Sequence, residues 1–350
     1  MNNISGTALL YSGGLLDDIH AKTAHGLLRY SDRFDILGVI DPKFHTSMTG
    51  DLVEHCKKNL VIYENLSSAL DEIREKPKYL VMGVAFGGGM LPDEHRLIVK
   101  EALKEGIHVV CGLHQILSED HELISLAEAN NAKIFDIRKP KKAEELNFWT
   151  GEIKNIKTPR VAVLGTDCAT GKRTTCQFLV NALRESKVKT EVIYTGQTGY
   201  LQGFKYGLIL DSTLNDFVSG ELEKAIIDCA KDVNPDLILI EGQSSLRNPS
   251  GPCGSEILLS GDVDAVILVH PAERKYFDNC EEAGAIIPDI EDEIKLIEHF
   301  GKRVIGITIN ASESFDASLL RKKLGIPVLN PIFEDISPII KHIKSTLLTQ

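Results

Sequence analysis

The fold of the second half of this chain is decided by one stretch, Val161-Ala162-Val163-Leu164-Gly165-Thr166-Asp167-Cys168-Ala169-Thr170-Gly171-Lys172. An apolar run ends at Gly165, and the residues from Arg173 to Leu179 continue in a helical pattern. Strand, glycine-bounded loop, lysine and helix is the order of a phosphate-binding loop. Unpaired N–H groups at a helix start and the helix dipole both favour an anion at that point. The sequence therefore predicts a P-loop domain.

The loop and the helix start supply most of the predicted nucleotide-binding residues. They are Gly165, Thr166, Asp167, Ala169, Gly171, Lys172, Arg173, Thr174 and Thr175, with Asn310 from a later strand end. Glycine allows close backbone approach to phosphate oxygens, and Lys172 adds a cation for the terminal phosphates. The loop departs from the standard motif in two ways. Five residues separate its glycines instead of four, and Arg173 replaces the usual Ser or Thr ligand of magnesium.

An acidic residue follows a second apolar strand, Leu237–Ile240. In P-loop proteins a carboxylate in this place lies near the metal, so we predict that Glu241 is catalytic. The other metal candidates are Thr174 and Asp211, and Thr175 could supply the missing hydroxyl. A solvent-facing acid after a core strand is the alternative interpretation of Glu241.

Polar residues at other strand ends predict a pocket for an acidic substrate, because ligands of open α/β sheets bind at the carboxyl ends of strands. Gln197 and Thr198 lie in the glycine turn Thr195-Gly196-Gln197-Thr198-Gly199. Arg247 and Arg274 follow strands, and a guanidinium group can hold a carboxylate with two hydrogen bonds. His270 ends a strand and is the candidate general base. A solvated role for either arginine, and a packing role for the histidine, remain open.

The whole chain alternates short β-branched runs with longer amphipathic runs, which is typical of parallel sheets covered by helices. We predict a Rossmann-like domain over residues 1–150, a polar linker over 151–159 and the P-loop domain over 160–350. The first half lacks the three spaced glycines of a dinucleotide fingerprint. Asp41, which follows the second strand, is therefore interpreted as an ordinary acid at a strand end.

Composition narrows the classes of function. The chain has 350 residues, of which 43% are hydrophobic and 25% are charged, the balance of a globular protein. A net charge of -11 argues against a nucleic-acid partner, which would favour a basic surface. No segment has the pattern of a signal peptide or a membrane span. With seven scattered cysteines and no CxxC pair, these features predict a cytoplasmic protein without a membrane partner.

Three stretches resemble the D-glutamate N-acetyltransferase-like family, formerly a domain of unknown function. They are Lys22-Thr23-Ala24-His25-Gly26-Leu27-Leu28-Arg29-Tyr30, Asp136-Ile137-Arg138-Lys139-Pro140, and Gly165-Thr166-Asp167 through Thr175. The resemblance extends over nearly the whole chain. It implies a Rossmann-like N-terminal domain, a P-loop C-terminal domain and acetyl transfer from acetyl-CoA to D-glutamate.

The second half also resembles dethiobiotin synthetase, in its five-residue glycine spacing, its Gly-Thr-Asp letters and the Glu241-Gly242 pair. That resemblance implies an ATP- and magnesium-dependent ligase or kinase.

The leading expectation is an enzyme, an N-acyltransferase that acts on D-glutamate or a similar small acidic amino acid. Its cofactor would be acetyl-CoA, or ATP with magnesium if the ligase or kinase alternative holds. A nucleotide-regulated binding protein without turnover is the third possibility. The expected partner is a small molecule, and a homo-oligomer is compatible with the sequence.

Overall fold

The structure, a computed structural model, describes residues 4–348 in two compact α/β units. The N-terminal unit comprises the residues up to Pro140 together with Gln197–Gly203. The C-terminal unit comprises Lys141–Gly196 and the chain from Phe204 onward. Each unit contains one parallel sheet, so the predicted α/β fold class with two parallel-sheet domains is confirmed.

The N-terminal sheet has six strands in the order β3-β2-β1-β4-β5-β6. The strands are β1 Gly6–Tyr11, β2 Phe34–Ile40, β3 Ile62–Tyr63, β4 Tyr79–Met82, β5 His108–Cys111 and β6 Ile134–Asp136. This is the strand order of dinucleotide-binding sheets. The strands are all parallel, and the order in which they are added along the sheet reverses between β1 and β4. The central strands are buried on both faces because helices cover the sheet.

Five helices follow these strands in the first part of the chain. They are α1 Lys22–Arg29, α2 Thr49–Leu52, α3 Leu66–Glu72, α4 Asp93–Lys104 and α5 His121–Ala129. Helix α5 begins where the Asp120 carboxylate accepts hydrogen bonds from the N–H groups of Glu122 and Leu123. Helix α4 has acidic residues in its first turn and Lys104 in its last, which suits the helix dipole.

The C-terminal sheet has seven strands in the order β13-β12-β11-β7-β10-β8-β9. They are β7 Arg160–Gly165, β8 Thr190–Tyr194, β9 Tyr206–Gly207, β10 Leu237–Glu241, β11 Ala265–His270, β12 Val304–Ile309 and β13 Val328–Leu329. Strand β7, which leads into the glycine loop, pairs with β10 on one side and β11 on the other. The strand ends at Glu241 and His270 therefore flank the loop.

The helices of the second half are α6 Lys172–Glu185, α7 Gln197–Gln202, α8 Asn215–Val233, α9 Ser255–Leu259, α10 Ile290–His299, α11 Ser318–Leu324 and α12 Ser337–Ile343. Helix α6 contains the stretch Arg173 to Leu179, for which the sequence predicts a helix. The predicted turn Thr195–Gly199 is wrong in its second part, because helix α7 begins at Gln197. This helix belongs to the N-terminal unit, where Gln202 Nε2 donates to the Gly26 carbonyl over 2.8 Å.

Two buried glutamates of α8 hold the segment that precedes β7. Glu221 accepts hydrogen bonds from Lys141 and from the backbone and side chain of Asn147. Glu223 accepts from the backbone N–H groups of Thr150 and Ile153. The predicted linker, residues 151–159, therefore lies within the C-terminal unit and contributes the buried Ile153 to its core.

Asp41 braces the loops at the carboxyl end of the N-terminal sheet. Its fully buried carboxylate accepts five hydrogen bonds, of 2.6–3.3 Å, from the Ser12 hydroxyl and from four backbone N–H groups. Those N–H groups belong to Gly14, Leu16, Lys43 and Phe44. Because both oxygens are occupied by donors from the chain, Asp41 connects the loop after β1 to the end of β2.

We predict that Asp41→Asn destabilises the protein by about 3 kcal/mol, since the amide leaves buried donors unpaired. The measurement is the urea midpoint, compared with that of Asp35→Asn. Asp35 is exposed and forms a surface ion pair with Lys58, so its change should stay within about 0.5 kcal/mol. Equal midpoints for the two variants would contradict the bracing role of Asp41.

Candidate active site

The glycine loop connects β7 to α6 through a backbone that few residue types can adopt. Gly171 has φ of 97° and Ala169 has φ of 50°, both in the left-handed region. A side chain on Gly165 would lie 2.7 Å from the Thr170 hydroxyl and 3.0 Å from Lys172 Nζ. Glycine is therefore required at both ends of the loop, at Gly171 for its backbone conformation and at Gly165 for space.

Lys172, the first residue of α6, is buried beside this loop. Its Nζ donates to the backbone carbonyls of Asp167, over 2.6 Å, and of Ser244, over 2.8 Å. Burial lowers the pKa of the ammonium group, while the nearby Cys168 and Asp167 oppose that shift. The cation is thus held at the loop by backbone dipoles, in the position from which a P-loop lysine meets phosphate.

The Asp167 carboxylate joins three separate segments of the C-terminal unit. One oxygen accepts from the N–H of Cys168 and from the Asn248 side chain, over 2.6 and 2.8 Å. The other accepts from Arg274 Nη1 and from the Asp278 N–H, both over 2.8 Å. Arg274 also donates to the Cys168 carbonyl, over 2.9 Å. The carboxylate is fully buried, so these four donors replace its hydration.

This geometry gives Arg274 and Arg247 partners within the chain. Arg274 neutralises Asp167, and Arg247 Nε donates over 2.6 Å to Glu293, a buried residue of α10. Burial raises the pKa of Glu293, and the Arg247 charge counters that shift. Both guanidinium groups are thus already engaged with buried acids. Their predicted contacts with a substrate carboxylate stay predictions.

Glu241 lies at the end of β10 and is buried. Its side chain accepts from the Thr195 N–H over 3.2 Å, and its backbone carbonyl accepts from the Thr195 hydroxyl over 2.8 Å. Burial raises the pKa of the carboxyl group, while Arg173 and Lys172 lower it. The predicted acid therefore stands within electrostatic range of the first two residues of α6, and the alternative of a solvent-facing side chain is wrong.

His270 lies at the end of β11, on the other side of the loop. Its Nδ1 is 2.9 Å from the Thr166 hydroxyl. Burial lowers the pKa of His270 to about 4, and the charge of Asp289 opposes the shift. The imidazole is therefore neutral at neutral pH and able to accept a proton, although a pKa this low makes it a weak base.

The remaining predicted residues differ in their burial and in their hydrogen bonds. Asn310 Nδ2 donates to the Thr170 carbonyl over 3.2 Å, and the hydroxyls of Thr175 and Thr308 lie 3.1 Å apart. Thr174 is half-buried, and Asp211 is exposed in a 3-10 turn. Within residues 4–348, no group of three or more His, Cys, Asp or Glu side chains is placed to hold a metal ion.

Two further predicted residues, Gln197 and Thr198, belong to the N-terminal unit. They open α7, and the Thr198 hydroxyl lies 3.1 Å from that of Thr23.

Sequence reasoning missed Asn248 and Ser244, which contact the glycine loop. Ser244 supplies a carbonyl to Lys172, and its hydroxyl lies 3.3 Å from Cys168 Sγ. Both residues lie in the loop that follows Glu241 and runs from Gly242 to Gly254. The density of glycine, serine and proline in that loop was the available signal of a close approach to the phosphate-binding turn.

Two protein-family models match this chain, one in each α/β unit. Residues 147–340 match DUF1611, described as a domain of unknown function (DUF1611_C) P-loop domain. Residues 43–140 match DUF1611_N, described as a Rossmann-like domain. The chain belongs to the DUF1611 family. The Rossmann-like and P-loop assignments made from the sequence are therefore confirmed.

Two curated relatives of this DUF1611 chain are named D-glutamate N-acetyltransferase. One, from Pseudoalteromonas sp, is 31% identical over 80% of this chain and 85% of its own length. The other, from Tritonibacter scottomollicae, is 28% identical over 73% of this chain and 77% of its own. They confirm the predicted resemblance to the D-glutamate N-acetyltransferase-like family.

A solved structure has the same fold over almost the whole chain. It is a DUF1611 family protein from Anabaena variabilis, with 26% identity and a TM-score of 0.87. The match covers 97% of this chain and 99% of that one. Among the helices formed by residues 4–348, none combines the length and apolar character needed to cross a membrane.

The partly buried His270 leads to a prediction about pH. Because the folded-state pKa of His270 is about 4 instead of 6.5, the unfolded chain binds a proton first as the pH falls. Stability should therefore decrease between about pH 6.5 and pH 4, by up to about 3 kcal/mol from this residue. In His270→Gln this part of the decrease should be absent.

The measurement is the urea midpoint at several pH values from 4 to 7.5, for wild type, His270→Gln and His45→Gln. His45 is exposed, so its variant should follow the wild-type curve. A His270→Gln curve as steep as that of the wild type would show that the folded protein protonates His270 readily.

Proposed function

We propose that this DUF1611 chain is an N-acetyltransferase that transfers the acetyl group of acetyl-CoA to the amine of D-glutamate or a similar small acidic amino acid. The observation that carries the proposal is the similarity, over most of both chains, to two proteins named D-glutamate N-acetyltransferase. The site geometry supports a phosphate-bearing donor. The acceptor comes from the relatives' names alone.

The phosphate loop suits a donor with several phosphates. CoA carries a pyrophosphate and a further phosphate, and a helix start with a lysine can bind such groups. Lys172 would exchange its contacts with the Asp167 and Ser244 carbonyls for contacts with a phosphate oxygen. Neighbouring Arg173 would add a second positive charge. The loop residues from Gly165 to Thr175 are thus the proposed donor site.

Acetyl transfer forms a bond between the amine nitrogen and the thioester carbonyl carbon, and it breaks the carbon–sulfur bond of acetyl-CoA. The amine must first lose a proton, and the departing CoA sulfur leaves as a thiolate that gains one. His270 is the proposed acceptor of the amine proton, because it is neutral above pH 4. Backbone N–H groups near Gly242 are the proposed donors to the oxyanion.

A second candidate function is ATP-dependent chemistry of the ligase or kinase type. It is favoured by one observation, the buried Glu241 at the strand end, electrostatically coupled to Lys172 and Arg173. If ATP is the ligand, Thr174 and Glu241 are the residues that would hold magnesium directly or through water. Magnesium would then offset the charge of the phosphates.

The proposal predicts that Lys172→Ala weakens binding of the phosphate-bearing ligand about tenfold or more, since a charge-assisted contact is worth about 1.5–3 kcal/mol. Calorimetry of the full chain with acetyl-CoA, and separately with ATP and magnesium, gives the affinity. Lys224→Ala is the matched control, because Lys224 is a half-exposed lysine of α8 paired with Asp228. Unchanged affinity of Lys172→Ala for both ligands would remove the donor site.

Turnover is measured as release of free CoA thiol from acetyl-CoA with D-glutamate, L-glutamate and D-glutamine. Thiol release that depends on the amine, with D-glutamate preferred, is the expected result. If no amine causes release of CoA thiol and an amine stimulates ATP hydrolysis, the acetyltransferase proposal is rejected in favour of the ATP-dependent function.

Glu241→Gln separates the two candidate functions, because glutamine keeps the shape and loses the charge. For an ATP-dependent enzyme we expect turnover to decrease at least tenfold, with a changed magnesium dependence. For the metal-free acetyltransferase we expect turnover within a few-fold of wild type. The same assays, with and without magnesium, distinguish the two results.

A further inference from the structure

The surface of the C-terminal unit has an apolar patch whose residues take no part in the P-loop site. Four of its large side chains are exposed, by 64% at Phe148, 41% at Trp149, 50% at Leu214 and 56% at Leu259. Phe217, which is half-buried, lies one turn after Leu214 at the start of α8. We call these five residues the apolar patch. Single exposed apolar residues are ordinary, but several beside one another mark an interaction surface.

Two contacts show that the apolar patch connects three segments of the chain. The ring centroids of Phe148 and Phe217 lie 4.5 Å apart, so the segment before β7 meets α8. The Trp149 Nε1–H donates to the Ser260 carbonyl over 3.3 Å, and Ser260 directly follows Leu259 at the end of α9. Because the indole N–H is paired with the chain, the Trp149 surface that remains in solvent is apolar.

The backbone that carries the two aromatic side chains is fixed against α8. The Asn147 N–H donates to Glu221 over 3.0 Å and the Thr150 N–H donates to Glu223 over 2.6 Å. Both glutamates are buried, so the segment is held on each side. A side chain at Gly220 would collide with the Asn147 carbonyl, so glycine is required for this approach. A backbone that is already ordered lowers the entropy lost when a partner binds.

The area of the apolar patch suits the centre of a dimer interface. With about 200 Å² for one fully exposed large apolar side chain, the four exposed residues present about 400 Å². A stable interface covers about 800 Å² on each partner, with aromatic residues enriched at its centre and polar residues at its rim. A second copy of the chain would cover the patch with an equally apolar surface.

The charged residues of this surface make it complementary to itself. Lys154 lies over the Trp149 ring, with Nζ 5.8 Å from the centroid. Asp216 lies beside Phe217 in the first turn of α8. Both charged residues are exposed, and neither forms an ion pair with any residue between 4 and 348. A two-fold axis through the patch would bring each lysine toward the aspartate of the other copy, because such an interface pairs unlike positions reciprocally.

We propose that the protein forms a symmetric dimer through the apolar patch. A second copy of the chain buries Phe148 and Trp149, and Lys154 of each copy pairs with the partner's Asp216. An interface that uses the same surface on both copies closes at two subunits. The dimer does not depend on the proposed acetyl transfer, because none of these residues belongs to the donor site.

The first test measures the mass of the full chain by sedimentation over a wide range of concentrations. Trp149 is the only tryptophan in the sequence, so its emission reports on this surface alone. We expect a dimer, with Trp149 protected from acrylamide quenching in the dimer and accessible in the monomer. A chain that stays monomeric at every concentration would overturn the proposal and leave a different protein as the occupant. A dimer in which Trp149 is quenched as readily as in the monomer would also overturn it.

The second test introduces a charge into the apolar patch. Phe148→Glu should weaken the dimer about tenfold or more, because central aromatic residues contribute most to such interfaces. Leu319→Glu is the matched control, since Leu319 is an exposed leucine of α11, and its dimer should match that of the wild type. Thermal midpoints verify folding, and Leu214→Glu takes the place of Phe148→Glu if that variant does not fold. Dissociation constants that are equal in the patch variant and in the control would contradict the proposal.

The third test exchanges the charges. Asp216→Lys and Lys154→Glu should each weaken the dimer about tenfold, because each places like charges opposite one another. An equimolar mixture of the two variants should dimerise with nearly the wild-type affinity, because both contacts of the mixed dimer then join opposite charges. A mixture that dimerises no better than the separate variants would rule out the two-fold pairing of Lys154 with Asp216.

Discussion

The phosphate loop depends on the burial of one carboxylate, that of Asp167. An ionised acid with no access to water is costly unless donors replace its hydration, and four donors from three segments do so here. The loop conformation is thereby coupled to the segment after β10, through Asn248, and to the segment after β11, through Arg274. Arg274 also offsets a negative charge that would otherwise repel phosphate. The Asp167 carboxylate thus fixes the loop, while its negative charge is balanced by Arg274.

The N-terminal unit uses the same physical device at a different strand end. Asp41 is buried after β2 and takes five donors from two loops, as Asp167 takes four after β7. In both cases the buried acid accepts its hydrogen bonds from groups of the chain itself. The consequence differs between units. At Asp167 the fixed loop lies beside a lysine and a helix start. At Asp41 the N–H groups of the fixed loop already donate to the Asp41 carboxylate.

The parts of the fold that could be predicted are those with local causes. The helical pattern from Arg173 to Leu179 predicted α6, because a glycine precedes the helix and apolar residues recur along it. Helix α7 was missed because Gly196 and Gly199 have the pattern of a turn, and its helical state depends on packing against distant residues such as Gly26. The ion-pair partners of Arg274 and Arg247 could not be predicted from the sequence either. Asp167 and Glu293 lie 107 and 46 positions away, and no local pattern marks a pairing at such separations.

Helix α7 has a consequence for how the protein is made. It completes the N-terminal unit, but it is encoded after β8 of the C-terminal unit, and the chain then returns to the C-terminal unit at Phe204. During synthesis, about sixty residues must therefore follow Pro140 before the last helix of the N-terminal unit leaves the ribosome. A fragment that stops at Pro140 would lack the Gln202 contact with Gly26. Neither unit is a contiguous piece of the gene, so insertions, deletions or exchanges that treat the halves as separable modules would disrupt both.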